Sequence, residues 1–81
     1  MIEYTKIQIS AKLYWGFNIE IPNNRLITMT KDEIVDEIKS FMKTFFELYN
    51  LEELKNGIDL LNLHIHDDII IGQTIYVCEH N

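Results

Sequence analysis

The sequence predicts an α+β fold in which a mixed sheet, made of an N-terminal hairpin plus C-terminal strands, is crossed by one long amphipathic helix. Three observations carry that prediction. Polar and apolar residues alternate from Lys6 to Leu13 and again from Phe17 to Ile21, an apolar stripe with helical spacing runs from Ile34 to Tyr49, and a β-branched, aromatic run covers Thr74 to Cys78. At 81 residues the chain is expected to be one domain over residues 1–81, close to the smallest size at which a hydrophobic core holds without staples.

Ile7, Ile9, Ala11 and Leu13 fall on one face against Lys6, Gln8, Ser10 and Lys12, the pattern of a half-buried strand. After Tyr14-Trp15-Gly16 the alternation resumes with Phe17, Ile19 and Ile21, so a hairpin with Gly16 in its turn is expected. Pro22 cannot donate to a ladder and Asn23-Asn24 favours turns, which ends the second strand. Thr30-Lys31-Asp32-Glu33 reads as a capping box, starting a helix that runs to about Asn50. Its core positions are expected at Ile34, Ile38, Phe41, Met42, Phe45 and Tyr49, with Asp36, Glu37, Lys39, Lys43 and Glu47 mainly opposite. Phe46 and Leu48 widen the stripe; they are expected to tuck under the next loop, the alternative being an interface. Leu51 to Lys55 reads as a short strand or a short helix capped by Asn50, and Asn56-Gly57 as a turn. Leu61, Leu63 and Ile65 alternate with Asn62, His64 and His66 in a short strand or extended loop. Thr74 to Cys78 is expected to be a central strand, because it is apolar on both faces.

Bulk properties narrow the function. The single Cys78 leaves no internal disulfide and no zinc-ligand spacing, which favours a cytoplasmic setting. The start at Met1-Ile2-Glu3-Tyr4 lacks the features of a signal peptide, and no apolar run approaches the ~20 residues that span a bilayer, so no membrane partner is expected. A net charge of −6 with dispersed lysines argues against nucleic acid as a partner. The same charge leaves room for an acidic inhibitor of a nucleic-acid-binding enzyme, whose binding would weaken steeply with salt.

The element order, together with Ile7-Gln8-Ile9 through Gly16, Thr30 with Ile34 and Ile38, Asn56-Gly57-Ile58-Asp59-Leu60, and Ile65-His66-Asp67-Asp68-Ile69-Ile70 before Gly72-Gln73-Thr74-Ile75, resembles the ubiquitin-like β-grasp family over about residues 6–77. The resemblance is one of pattern and implies fold rather than activity. Modifiers and sulfur carriers of that family end in Gly-Gly, whereas this sequence reads Cys78-Glu79-His80-Asn81. The three hydrophobic positions of the family's recognition patch would fall at Tyr14, Leu54 and Cys78.

Few residues could carry chemistry. His64, His66 and Asp67 form a weak metal candidate, since alternate strand residues share a face; the plainer reading is two solvated histidines and a turn. His80 would be a third ligand on a terminus. Cys78 as a nucleophile would need a base, and the sequence offers only His80 nearby. No phosphate loop or nucleophile elbow is present, so neither catalytic residues nor a cofactor are expected. Trp15, at the hairpin tip beside Tyr14, is either an interface anchor or a cap on the open end of the core.

The expected function is therefore non-catalytic protein–protein binding through Tyr14, Trp15, Leu54, Tyr76 and Cys78. The rival is a covalent modifier attached through a C-terminal tail of Glu79, His80 and Asn81 by dedicated activating and conjugating enzymes.

Overall fold

The computed structural model describes residues 2–80, so Asn81 of the expected tail lies outside the described residues. Strands β1 (Tyr4–Ser10) and β2 (Phe17–Pro22) form an antiparallel hairpin. A four-residue helix α1 (Asn23–Leu26), the long α2 (Lys31–Leu48) and the short α3 (Glu52–Gly57) follow, and a 3₁₀ turn at Ile58–Leu60 leads to β3 (Leu63–Ile65) and β4 (Ile75–Glu79). The sheet order is β2-β1-β4-β3, with β1 and β4 parallel and β3 antiparallel to β4. The sequence thus folds as α+β, with a mixed four-stranded sheet and a long helix.

Period-two alternation sends Ile7, Ile9, Ile19, Ile21, Ile75 and Val77 to one sheet face, where Ile34, Ile38, Met42 and Phe46 of α2 meet them in one buried cluster. Among the described residues Thr5 is the buried polar exception. Its hydroxyl donates to the Asn23 side chain and accepts the Gly72 amide at 3.0 Å, so a satisfied polar group ties β1 to α1 and to the loop before β4.

The capping box forms as expected: the Thr30 hydroxyl accepts the Glu33 amide and the Glu33 carboxylate accepts the Thr30 amide, both at 3.2 Å. At the other end the Asn50 amide donates to the Glu47 carbonyl and the Leu51 amide to the Phe46 carbonyl, the two bonds of a Schellman motif. Asn50 takes the left-handed conformation that this closure needs, with φ +56°. Asn50 therefore ends α2 rather than capping α3, whose N-cap is Leu51.

Several expectations are corrected. The first strand stops at Ser10, not Leu13, because the Tyr14 amide turns back to Ala11 O and the Gly16 amide to Ile9 O; Gly16 sits at φ +79°. That turn points Leu13 outward and Tyr14 inward. The helix core repeats every four residues, from Ile34 to Phe46, and each step turns the seam by about 40°. Phe46 is thereby buried, while Phe41, Phe45 and Tyr49 are left on a flank and Leu48 is exposed rather than tucked under a loop. Residues 52–57 are helical, and Asn56-Gly57 lies within that helix with Gly57 at φ −73°, so it makes no turn. Pro22 does end β2, but as the lead-in to α1, which buries Leu26. β4 is central as expected, yet only one of its faces is covered: Tyr76 is 62% exposed. Among the described residues no helix is long and apolar enough to cross a membrane.

Candidate functional sites on two surfaces

The residues expected to form one binding face do not lie together. Tyr14 belongs to the helix side of the sheet, only 4% exposed, with its ring 5.4 Å from Phe46 and its hydroxyl donating to the Leu54 carbonyl at 2.6 Å. Burial, and after it the Glu79 carboxylate, hold its phenol above the ordinary tyrosine range. Leu54 is half-buried against the same core. Tyr14 is therefore a packing residue with no surface to offer a partner. Tyr76 and Cys78 alternate with the buried Ile75 and Val77, which puts them on the opposite, outer sheet face. Trp15 stands apart at the hairpin tip, 80% exposed, so it does not cap the core.

The helix side carries a surface that sequence reasoning assigned to the core. Phe17 of β2 meets Phe41 and Phe45 of α2 edge-on at 6.0 and 5.2 Å, and Phe45 stacks obliquely on Tyr49 at 4.8 Å. This chain of rings begins inside at Phe46 and emerges at Phe41, Phe45 and Tyr49, with exposed Leu48 on the same helix. It runs alongside β2, an edge strand with no partner on its outer side among the described residues. The signal was present in the sequence as an apolar stripe wider than one sheet face can cover.

The outer face gathers the imidazoles and the thiol. The β3–β4 register sets His64 opposite Cys78, and His66 Nε2 lies 2.9 Å from Cys78 Sγ. The His64 ring stacks on His66 at 5.9 Å and meets His80 edge-on at 4.5 Å. His64 Nε2 is buried and, among the described residues, without a hydrogen-bond partner, a state that costs about 1–3 kcal/mol when nothing compensates it. Among the described residues no group of three or more His, Cys, Asp or Glu is placed so that it could hold a metal ion, the weak candidate His64, His66 and Asp67 included. Asp67 lies instead with Asp68, Ile70, Gln73 and Tyr76 along a neighbouring cleft of about 310 Å³. The thiol's close base is thus His66, which spacing along the sequence did not reveal, and the relation arises from strand pairing.

The expected tail is held in the sheet as far as it is described. Glu79 ends β4 and its carboxylate accepts the Lys12 amide at 3.2 Å, while the His80 amide donates to the Asn62 carbonyl at 2.8 Å. Comparison with family models, curated proteins and solved structures finds no match to this chain.

Proposed function

We propose that this chain is a ubiquitin-like β-grasp domain that acts without catalysis, by binding another protein along the α2–β2 flank. The fold reading is supported by the parallel pairing of the first and last strands at the centre of the sheet, flanked by β2 and β3, under a single long helix. The observation that carries the binding reading is the run of rings from Phe17 through Phe41 and Phe45 to Tyr49, exposed beside an unpaired strand edge. Aromatic side chains are costly to leave in water and are frequent anchors of interfaces, and an open edge offers backbone donors and acceptors to an added strand. Both the pairing of Glu79 and that of His80 favour non-covalent binding over conjugation through a free tail.

The test compares affinity capture from the native host by three tagged forms: the parent chain, Phe41→Ser/Phe45→Ser, and Lys6→Ser on the outer sheet face. A partner held by the parent and by Lys6→Ser but lost from the flank variant is the expected result. Capture of nothing, or of a partner indifferent to the flank variant, would reject the α2–β2 surface.

A further inference from the structure

We propose that the chain self-associates at its hairpin-tip pole, with Trp15 of each copy seated in an apolar pocket of the other. Beside the β1–β2 turn lies a pocket of about 240 Å³, lined by the exposed Leu13 and Leu60 and by buried Tyr14 and Leu61. Sites that enclose a drug-sized ligand hold roughly 300–1,000 Å³, so this one suits a single large side chain. Trp15 follows directly on Tyr14 yet does not line the pocket. The turn that sends the Tyr14 amide to Ala11 O and the Gly16 amide to Ile9 O leaves the indole 80% exposed. A large apolar knob and an apolar pocket thus share one pole, and a two-fold axis between them fills both pockets at once.

Charge selects a second copy over other occupants. Lys12 and Glu79 also line the pocket. Among the described residues neither makes an ion pair, and the Glu79 carboxylate accepts only the Lys12 backbone amide. Across a two-fold axis Lys12 of each copy faces Glu79 of the other, whereas a purely acidic or purely basic partner would set a like charge against one of them. The net charge of −6 opposes the approach of two copies, but beyond about 10 Å that repulsion is largely screened at 0.1 M salt. Two indoles of about 150–250 Å² each, with the leucines and walls that receive them, bring the buried area close to the roughly 1,200 Å² at which stable interfaces begin. The dimer is therefore weak, with a Kd on the order of 0.1 mM, and the dilute chain is a monomer with a solvated indole. None of these residues belongs to the exposed rings of the α2–β2 flank.

The experiment is sedimentation equilibrium of the full chain from about 10 μM to about 1 mM, a range that brackets that Kd. A monomer–dimer equilibrium is expected, with Trp15 emission moving to shorter wavelength as the dimer forms; dependence on concentration separates that shift from burial within one copy. Trp15→Ala and Leu60→Ser, the latter at a position 86% exposed, should each weaken dimerisation roughly tenfold or more, and Phe41→Ser/Phe45→Ser should leave it unchanged. Lys12→Glu and Glu79→Lys should each weaken it too, but an equimolar mixture of the two should dimerise better than either alone, because every Lys12/Glu79 contact in the mixed pair again joins opposite charges. Thermal melts of dilute samples check that each variant is folded, and Leu60→Ser stands in if Trp15→Ala is not. A chain that stays monomeric to about 1 mM overturns the proposal, as does a mixture no better than its components. A dimer indifferent to Trp15→Ala and Leu60→Ser, or lost in Phe41→Ser/Phe45→Ser, overturns it as well, the second result placing self-association on the flank.

Discussion

A methyl group at position 57 would come within 3.1 Å of the Tyr14 hydroxyl oxygen, and that hydroxyl is itself held 2.6 Å from the Leu54 carbonyl. Gly57 has ordinary helical dihedrals, so its backbone does not require glycine. The absence of a side chain serves instead to admit the phenol, which staples the hairpin turn to α3.

Gly57→Ala therefore sets two effects against each other. Alanine gains about 0.5–1 kcal/mol over glycine in a helix, but the methyl must displace a ring pinned by Phe46 and by a hydrogen bond. The substitution should destabilise the parent chain yet stabilise Tyr14→Phe, where the obstructing oxygen is gone. Urea denaturation of the four members of the cycle measures the coupling, and additive effects would show that the contact is not felt.

Tyr14 also gives the fold an alkaline limit. Its phenol is held above the ordinary range, first by burial and then by Glu79, so the folded chain keeps this proton to higher pH than the unfolded one. Below the unfolded tyrosine value of about 10 both states are protonated and the contribution is complete. As pH rises past it, the unfolded chain loses its proton first, and stability falls until the folded phenol ionises as well. Between about pH 8 and pH 10.5 the parent chain should lose more stability than Tyr14→Phe, with other tyrosines and lysines common to both. Equal losses in urea melts would remove Tyr14 as the cause. At pH 8 the same variant should cost about 0.5–1.5 kcal/mol for the lost hydrogen bond to Leu54.

These residues also mark where the sequence was legible. The hairpin, the capping box at Thr30 and Glu33 and the central last strand follow from local periodicity and local hydrogen bonding, and all three form. What failed depends on geometry between elements. The winding seam of α2 exchanged Phe46 for Phe41, Phe45 and Tyr49 in the core, which a fixed wheel does not foresee. Tyr14 went inside because a turn began at Ala11, one element of hairpin geometry that alternation alone does not set. Asn56-Gly57 carries a turn signature, yet it lies inside α3 with the Tyr14 hydroxyl packed over Gly57. On the outer face the His66–Cys78 pair spans twelve residues and exists only through the β3–β4 register.

At Asn50 the conflict is between residue and conformation. At a positive φ the Cβ of Asn or Ala crowds the carbonyl at a cost of roughly 1–2 kcal/mol that Gly avoids, and Asn offsets part of it through its short polar side chain. Asn50→Ala should lower stability by only a fraction of that amount and Asn50→Gly should raise it, as read by thermal melts. The reverse order would mean that the Asn50 side chain, rather than its backbone, holds the end of α2.

Two large aromatics test the division between core and surface. Trp15 is 80% exposed, and among the described residues no ring contact or side-chain hydrogen bond fixes it, so Trp15→Ala should shift stability by no more than about 0.5 kcal/mol. Phe46 is buried among Tyr14, Phe17 and Phe45, and Phe46→Ala should cost about 3–5 kcal/mol through lost burial and the cavity left behind. Because Trp15 is the sole tryptophan, its emission should already resemble that of solvated indole in the native chain and change little on unfolding. Circular dichroism must then supply the stability readout, and the fluorescence is left free to report on the hairpin tip. A large loss of stability in Trp15→Ala would place the indole in the core after all, and a blue-shifted native emission would say the same by an independent route.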